Sequence, residues 1–308
     1  MTILGFDRAF EAKVGECISL SPLVRRVLCN NPGPFTFKGT STFIVGRGRV
    51  AVVDPGPEDE EHLTALINAV RNETVTHILI THTHADHSPL AARLRQVTGA
   101  TTCGFGAHGS GRMQSGVITD AGADRSFIPD LRVSNGDRIF EPGWTIEAVH
   151  TPGHTSNHMA YALKEEGSLF CGDHVMAWAT SVIAPPDGNM GQYLDSLRTL
   201  LDRGEEIYYP THGPSARDPK SLVRACIAHR KMREQAILNR LARGDRKIDA
   251  IVSANYADLD PRLHAAAALS TLAHLEQLID EGRVETDGPP TIASEYRLSR
   301  EGQGPGNL

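Results

Sequence analysis

The segment that most constrains this chain is Thr-His-Thr-His-Ala-Asp-His at residues 81–87, which holds three histidines and one carboxylate. The apolar run Ile-Leu-Ile at residues 78–80 predicts a short buried strand, so these polar side chains leave the strand end on one tight loop. The four candidate ligands in this loop are His82, His84, Asp86 and His87. Imidazoles and carboxylates are ligands that divalent metals prefer, above all zinc. Four ligands exceed what one tetrahedral zinc accepts from a single loop, so the sequence predicts two metals.

Further short apolar runs end in turns rich in Gly or Pro, and each of these turns carries another candidate polar residue. In chain order these residues are Asp54, His154, Asp173 and His212. Catalytic groups gather on loops that a rigid sheet holds, because the sheet fixes their geometry. We therefore expect these residues to join those of residues 81–87 in one site.

The order of these motifs resembles that of the metallo-β-lactamase superfamily over residues 31–214. The motifs that carry the resemblance are the loop at 81–87, Thr-Pro-Gly-His-Thr at 151–155, Gly-Asp at 172–173 and the later lone His212. The resemblance implies an α/β fold, a four-layer αβ/βα sandwich with a two-metal site at one edge of its sheets.

The resemblance also implies which residues hold the metals. His82, His84 and His154 would bind one metal, and Asp86, His87 and His212 would bind the other. Asp173 would bridge the two metals. Asp54 matches the first acidic motif of the family, which orients ligands without touching the metal.

Three residues are our candidates for catalytic roles. Asp173 acts through its bridging position, and Asp86 is expected to orient the nucleophile in addition to binding metal. His158, four residues after His154, is expected either to reach the substrate or to brace the site. The sequence does not identify the group that protonates the leaving group.

Two divalent cations explain why these residue types are needed. Cations roughly 3.5–4 Å apart can share a water and lower its pKa from about 15.7 towards about 7, which yields a hydroxide nucleophile at neutral pH. They also polarise the scissile carbonyl or phosphoryl group. The implied cofactors are therefore two divalent metal ions, with Zn²⁺ as the first choice and Mn²⁺ or Fe²⁺ as alternatives.

Periodicity along the chain predicts alternating strands and helices. Strands are predicted at residues 24–28, 42–45, 49–53, 77–80, 146–149, 159–163, 168–171 and 207–209. Helices are predicted at residues 60–70, 89–96 and 190–201. Residues 104–130, rich in Gly and small polar residues, are predicted to form a long loop over the site.

Composition fits a cytoplasmic enzyme that does not contact membranes. Hydrophobic residues make up 40% of the 308 residues, and no run approaches the ~20 apolar residues of a membrane span. Residues 1–16 contain three acids and lack a continuous apolar stretch, which argues against a secretory signal. The five cysteines are scattered and form no CxxC pair, which fits a reducing compartment.

The chain changes character after His212. Residues 217–247 hold ten basic and three acidic residues in a chain whose net charge is −6. A stripe at helical spacing predicts a long helix there. The stripe comprises Leu222, Cys226, His229, Arg233 and Ile237. A second helix is predicted at residues 262–282 and a hairpin at 283–298, an order that resembles a winged helix.

We therefore predict a catalytic domain over residues 1–216, followed over residues 217–308 by a basic linking helix and a winged-helix-like domain. Together with Asn-Pro-Gly-Pro at 31–34 and Gly-Thr-Ser-Thr at 39–42, this tail resembles the lactamase-β-like-2 branch of the superfamily. The mitochondrial animal member of that branch is a single-strand-selective endoribonuclease. The apolar helices of the tail are compatible with a homodimer.

The first functional hypothesis is hydrolysis of phosphodiesters in single-stranded RNA, with the basic stretch neutralising the RNA backbone. The basic stretch is equally explained as a solvated helix face. The alternative activity is thioester hydrolysis of the hydroxyacylglutathione type, because an acyl carbonyl uses the same hydroxide. Asp173 at the bridging position disfavours a true β-lactamase, whose corresponding residue is typically Cys or Ser. The complete ligand set disfavours a non-catalytic nucleic-acid-binding protein.

Overall fold

A seven-stranded sheet forms the first half of the catalytic part. The computed structural model describes residues 6–109, 122–257 and 263–299. The strands, in order across the sheet, are β1 Cys17–Ser19, β2 Val24–Leu28, β3 Ser41–Arg47, β4 Arg49–Val53, β5 Thr74–Leu79, β6 Thr101–Gly104 and β7 Leu131–Arg132. Pairing is antiparallel from β1 to β4 and parallel from β4 to β7. Parallel neighbours need crossovers, which α1 Glu60–Ala69 and α2 Leu90–Thr98 supply.

A five-stranded sheet forms the second half. Its strands are β8 Arg138–Glu141, β9 Trp144–His150, β10 Met159–Leu163, β11 Ser168–Gly172 and β12 Ile207–Pro210. Strands β8 to β11 pair antiparallel, whereas β11 and β12 pair parallel through the crossover helix α3 Met190–Leu201.

Alternating burial along the strands builds four layers. In β4, Ala51 and Val53 belong to the core between the two sheets, which also contains Trp144 and Tyr161 of the second sheet. The alternate residues of β4 pack instead with the apolar faces of α1 and α2. On the outer side of the second sheet, α3 packs in the same way. Because strand side chains alternate between faces, one strand serves both cores, and the predicted αβ/βα sandwich is confirmed.

The predicted strands and helices agree with the structure except that the short strands β1, β6, β7 and β8 were not predicted. Strand β1 was not predicted, because its three residues are largely exposed and carry no apolar alternation. Strand β6 begins at Thr101 and ends at Gly104, where the long loop over the site was predicted to begin. Of that loop, residues 110–121 lie outside the described residues.

The C-terminal part consists of α4 Pro219–Ala242, α5 Ile248–Asn255, α6 His264–Asp280 and the antiparallel hairpin of β13 Val284–Thr286 and β14 Tyr296–Leu298. The Asp218 side chain caps α4 by accepting from the Ser221 backbone N–H at 3.2 Å. None of the helices among the described residues combines the length and the apolar character that crossing a membrane requires.

Helix α4 is shared by two cores. Val223 and Cys226 pack with the second sheet and α3, whereas Ile237 and Leu241 pack with α5 and α6. Helix α4 covers the stripe predicted from residue 222 to residue 237, but that stripe does not contain Arg230, which is buried between the half-buried His229 and Arg233. Hydrophobic periodicity misses this position because arginine is rarely a buried residue.

Candidate metal centre

The seven predicted ligands lie together at one edge of the sandwich, on loops that follow strands of both sheets. Residues 81–87 follow β5 of the first sheet. His154, Asp173 and His212 follow β9, β11 and β12 of the second sheet. The carboxyl ends of these strands therefore define the site.

The first group of candidate ligands consists only of histidines. The ligand nitrogens of His82, His84 and His154 lie within 4.8 Å of one another. His82 Nε2 is 2.9 Å from His84 Nδ1, and His154 Nε2 is 3.1 Å from the same atom. The three nitrogens are close enough to one another to share a single metal.

The second group combines a carboxylate with two histidines, Asp86, His87 and His212. Asp86 Oδ2 is 3.0 Å from His212 Nε2 and 3.6 Å from His87 Nε2. Ligands at about 2.0–2.1 Å from a tetrahedral zinc are separated by about 3.3–3.4 Å. The spacing of this group matches that requirement.

Asp173 lies between the two groups. Its Oδ1 is 3.6 Å from His87 Nε2 and 3.5 Å from His212 Nε2, whereas its Oδ2 is 3.9 Å from His154 Nε2. One oxygen therefore faces the mixed group and the other faces the histidine group, the geometry that a bridging carboxylate needs.

Buried polar atoms without partners indicate that this centre fits metal ions. Among the described residues, His87 Nε2, His212 Nε2 and Asp173 Oδ1 are buried, and none of them makes a hydrogen bond of acceptable distance and angle. An unsatisfied buried polar atom costs about 1–3 kcal/mol, and three of them converge here. Metal coordination would satisfy all three.

Asp54 holds the centre from behind. Its side chain accepts hydrogen bonds from the Thr81 backbone N–H at 2.8 Å, the Thr81 hydroxyl at 2.7 Å, the Thr211 hydroxyl at 2.9 Å and His87 Nδ1 at 2.9 Å. A carboxylate can only accept here, so Nδ1 of His87 carries the proton and Nε2 is left to bind metal. Asp54 is fully buried and has a φ of 48°, in the left-handed region that is uncommon for residues other than glycine.

Backbone carbonyls orient two other candidate ligands. His154 Nδ1 lies 2.5 Å from the Val182 carbonyl oxygen, and His212 Nδ1 lies 3.2 Å from that of Gly39. Each carbonyl accepts a proton from Nδ1 and so leaves Nε2 free.

His158 is fully buried behind Asp173. Its Nε2 accepts a hydrogen bond from the Asp173 backbone N–H at 3.3 Å, and its Nδ1 lies 2.8 Å from the Thr151 hydroxyl. Burial lowers the pKa of His158 well below its ordinary value, as do the neighbouring imidazoles of His174 and His154. These contacts support the bracing role that the sequence left open and give His158 no path to a substrate.

The two ligand groups differ in charge. Burial, followed by neighbouring imidazoles, lowers the pKa of His82 well below its ordinary value and that of His154 to about 4. Burial by itself would raise the pKa of Asp173, but the imidazoles of His212 and His87 outweigh it and hold the pKa well below its ordinary value. In return, Asp86 and Asp173 raise the pKa of His87 against the effect of burial. His82 and His154 are therefore neutral, whereas His87 in the mixed group holds a proton that a metal must displace.

Several supporting residues were not found from the sequence. Thr81 and Thr211 both bind Asp54, and each directly precedes a ligand histidine. The repeated Thr-His pair was therefore a usable signal. No such signal exists for Val182 and Gly39, because their contribution is a backbone carbonyl whose position depends on the folded loop.

The chain matches two known domain families and many known proteins. Residues 35–212 match the metallo-beta-lactamase superfamily, and residues 248–289 match the beta-lactamase associated winged helix domain. An "Atrochrysone carboxyl ACP thioesterase" of Aspergillus terreus is 30% identical over 238 residues, which are 76% of this chain and 68% of that protein. A "Beta-lactamase-like protein 2 homolog" of Caenorhabditis elegans is 30% identical over 285 residues, 86% of this chain and 87% of that protein.

Two solved structures share the fold. A metallo-beta-lactamase family protein from Thermus thermophilus has a TM-score of 0.74 at 23% identity and covers 91% of this chain and 100% of its own. A beta-lactamase domain protein from Burkholderia ambifaria has a TM-score of 0.78 at 20% identity, covering 96% and 97%. The resemblance to the lactamase-β-like-2 branch is confirmed, and membership implies divalent metal binding. This chain is thus a hydrolase that belongs to the metallo-beta-lactamase superfamily and carries a C-terminal winged helix domain.

Proposed function

We propose that this chain is a two-metal thioester hydrolase. In this assignment His82, His84 and His154 hold one divalent ion, Asp86, His87 and His212 hold the other, and Asp173 bridges them. Zinc suits a donor set made of imidazole nitrogens and carboxylate oxygens. When bound, the two ions supply a water of lowered pKa and polarise the scissile carbonyl.

The protein's own residues supply geometry. Asp54 and the Thr81 and Thr211 hydroxyls fix the ring of His87, and Asp86 and Asp173 supply the negative charge that balances the cations. His158 holds the backbone N–H of Asp173 and so keeps that carboxylate between the two groups. Most of these side chains are buried, which excludes bulk water and strengthens every electrostatic contact.

The observation that carries the thioester assignment is the shortage of proton donors. In the part of the chain that the structure describes, each histidine of the centre either faces a metal position or is held by a neighbouring side chain or carbonyl. A thiol has a pKa of about 8.5, so a thiolate leaves without prior protonation. A sugar alkoxide is a far stronger base and needs a proton donor. The centre therefore suits a thiolate leaving group.

The contacts of the basic residues at 217–247 also favour a thioester substrate over RNA. Arg230 donates to the Ser181 carbonyl, Arg233 packs on the Tyr256 ring, and Arg240 pairs with Asp245. These side chains serve the protein's own structure, so they do not neutralise a phosphate backbone. The relative named as an acyl carrier protein thioesterase supports the same substrate class.

Hydrolysis of single-stranded RNA is the second candidate. Arg217, Lys220 and Arg224 are exposed around the start of α4 and leave a basic face open to a polyanion. However, Ala216 pairs with Tyr208, so the chain runs back along β12 after His212 and away from the ligand loops. This basic face therefore starts at a distance from the metal centre.

A side-by-side turnover assay of the zinc-loaded protein tests the assignment. One arm uses S-lactoylglutathione and an acyl-pantetheine thioester, and the other uses a fluorescent single-stranded RNA. We expect thioester cleavage, and we expect Asp173→Ala to abolish it. The control Asp195→Ala removes an exposed carboxylate and should leave cleavage unchanged. RNA cleavage that depends on Asp173, with both thioesters untouched, would overturn the proposal in favour of the second candidate.

We propose a catalytic domain over residues 1–216 and a linking helix with a winged helix over 217–308, with α4 packing on both. Location in the cytoplasm and assembly into a homodimer rest on the sequence patterns described above.

A further inference from the structure

We propose that Arg230, on the C-terminal helix α4, is a positioning residue for the metal ligand His154. The inference rests on the proposed role of His154 as a ligand. It extends the site beyond the loops of the sandwich, because the C-terminal region would then control the geometry of one metal position.

Arg230 is a buried cation without a carboxylate. It is 4% exposed, and no carboxylate among residues 6–109, 122–257 and 263–299 lies within ion-pair distance of it. Removing a charge from water costs several kcal/mol unless partners compensate. A residue that served only to fill space on α4 would be apolar, so the contacts that Arg230 does make define its role.

Among the described residues the guanidinium makes one hydrogen bond and one ring contact, and both lead to His154. One N–H donates to the Ser181 carbonyl, and the guanidinium carbon lies 5.3 Å from the centre of the Tyr193 ring. The first contact holds the loop between β11 and α3. The second holds α3 itself.

The loop contact reaches His154 through the next residue. Val182 follows Ser181, and its carbonyl accepts from His154 Nδ1 at 2.5 Å. This bond sets both the ring orientation and the tautomer, because a carbonyl cannot donate and Nδ1 must therefore carry the proton. Fixing the Ser181 carbonyl limits rotation of the adjoining peptide unit and keeps the Val182 carbonyl aimed at the imidazole.

The helix contact reaches the other side of His154. Gly153 has a φ of 134°, and a Cβ placed on it would lie 2.3 Å from the Tyr193 backbone. The Asn189 backbone N–H, at the start of α3, donates to the Gly153 carbonyl at 2.8 Å. The turn that carries His154 is therefore packed directly on α3, and Arg230 bears on α3 through the Tyr193 ring.

The test measures zinc binding to the full-length metal-free protein by chelator competition, together with kcat and KM for thioester turnover. Arg230→Met removes the charge and its donors but keeps most of the length of the side chain. Arg233→Met is the matched control: it lies on the same helix, its guanidinium sits 4.3 Å from the centre of the Tyr256 ring, and its partners belong to α5 and its C-terminal end. Residues that orient metal ligands typically contribute 10–100-fold to metal affinity or activity.

We expect Arg230→Met to raise one of the two zinc dissociation constants by about 10-fold. The kcat should fall by a similar factor, and the KM should stay unchanged. Arg230→Lys, which keeps a donor for the Ser181 carbonyl, should recover part of the loss. Arg233→Met should lower the melting temperature without changing either zinc constant.

Equal zinc constants and equal kcat in Arg230→Met and the wild-type protein would overturn the inference and reduce Arg230 to a packing residue. If Arg230→Met does not fold, the zinc constants of Arg230→Lys decide in the same way. His154→Ala separates this inference from the ligand assignment. Retention of both zinc ions in His154→Ala refutes the assignment, whereas loss of one ion there with a normal Arg230→Met refutes only the role of Arg230.

Discussion

The metal centre and the C-terminal helices handle buried polar groups in opposite ways. In the metal centre every candidate ligand imidazole faces a metal position, a hydroxyl or a carbonyl. Around α4 and α6, Arg230 is buried without a carboxylate, and both ring nitrogens of His274 are buried without a hydrogen-bond partner among the described residues. The candidate ligands lack only the metals that they would hold, whereas Arg230 and His274 are not placed to hold a metal. Unpaired groups in a protein interior are expensive, so they indicate where the C-terminal region does more than pack.

The largest expected effect lies in the metal centre, at Asp173. Asp173→Ala removes the carboxylate that faces both ligand groups. It also removes a negative charge that raises the pKa of His87 and of His212. We expect thioester turnover to fall by more than about 100-fold, the upper figure for a residue that only supports a ligand. Metal analysis should show less than two ions per chain, and circular dichroism should show an unchanged fold. Full turnover with both ions retained would contradict the bridging role.

Substitution of Asp54 tests how strongly zinc affinity and stability depend on the hydrogen bonds behind the metal centre. Asp54→Ala leaves the Thr81 backbone N–H and His87 Nδ1 buried without an acceptor, at about 1–3 kcal/mol each. We expect zinc affinity to fall by about 10–100-fold and the free energy of unfolding to fall as well. Thr211→Val removes only one of the four bonds, so its effect on stability should stay near 0.5–1.5 kcal/mol, on the order of one hydrogen bond. Equal effects of the two substitutions, measured by urea unfolding and chelator competition, would show that Asp54 does not act as a hub.

These two regions also differ in how far the sequence predicts them. The clustering of the candidate ligands is predictable because the motif at residues 81–87 is local and because the other loops each follow a recognisable strand. Asp54 was found for the same reason. Arg230 was not, since hydrophobic periodicity counts only apolar residues and an arginine in a basic stretch is expected to be exposed. The Val182 carbonyl was beyond reach because a backbone contact leaves no trace in residue identity.

The buried His274 in the C-terminal region should make the stability of the protein depend on pH. Burial, followed by Arg230 and the neighbouring His229 and Arg233, lowers the pKa of His274 to about 3. In the unfolded chain the pKa of a histidine is about 6.5, so the unfolded state binds the proton first as the pH falls. The free energy of unfolding is therefore not reduced by His274 above about pH 6.5. On acidification His274 lowers the free energy of unfolding, by about 2–3 kcal/mol at pH 4.5.

His274→Leu should remove that dependence. Leucine has a similar size and no polar atom to leave unsatisfied, so the variant should be at least as stable as the wild-type protein at pH 7.5. Urea unfolding of both metal-free proteins at pH 7.5 and pH 4.5 gives the comparison, because acid acts on the metal ligands equally in both. A stability loss of the same size in the two proteins would mean that His274 is not responsible for it.

We expect the smallest effect on stability and turnover from substitutions of the exposed basic residues of the C-terminal region. Arg217, Lys220 and Arg224 are exposed, and replacing all three with glutamate should change the free energy of unfolding by no more than about 0.5 kcal/mol per site. It should also leave kcat and KM for S-lactoylglutathione unchanged, because the chain runs back along β12 after His212 and places these three side chains away from the ligand loops. A tenfold loss of turnover that disappears at high salt would instead assign this face to substrate recognition. The C-terminal region would then act through its exposed cations, and the buried Arg230 would be the lesser part of its contribution.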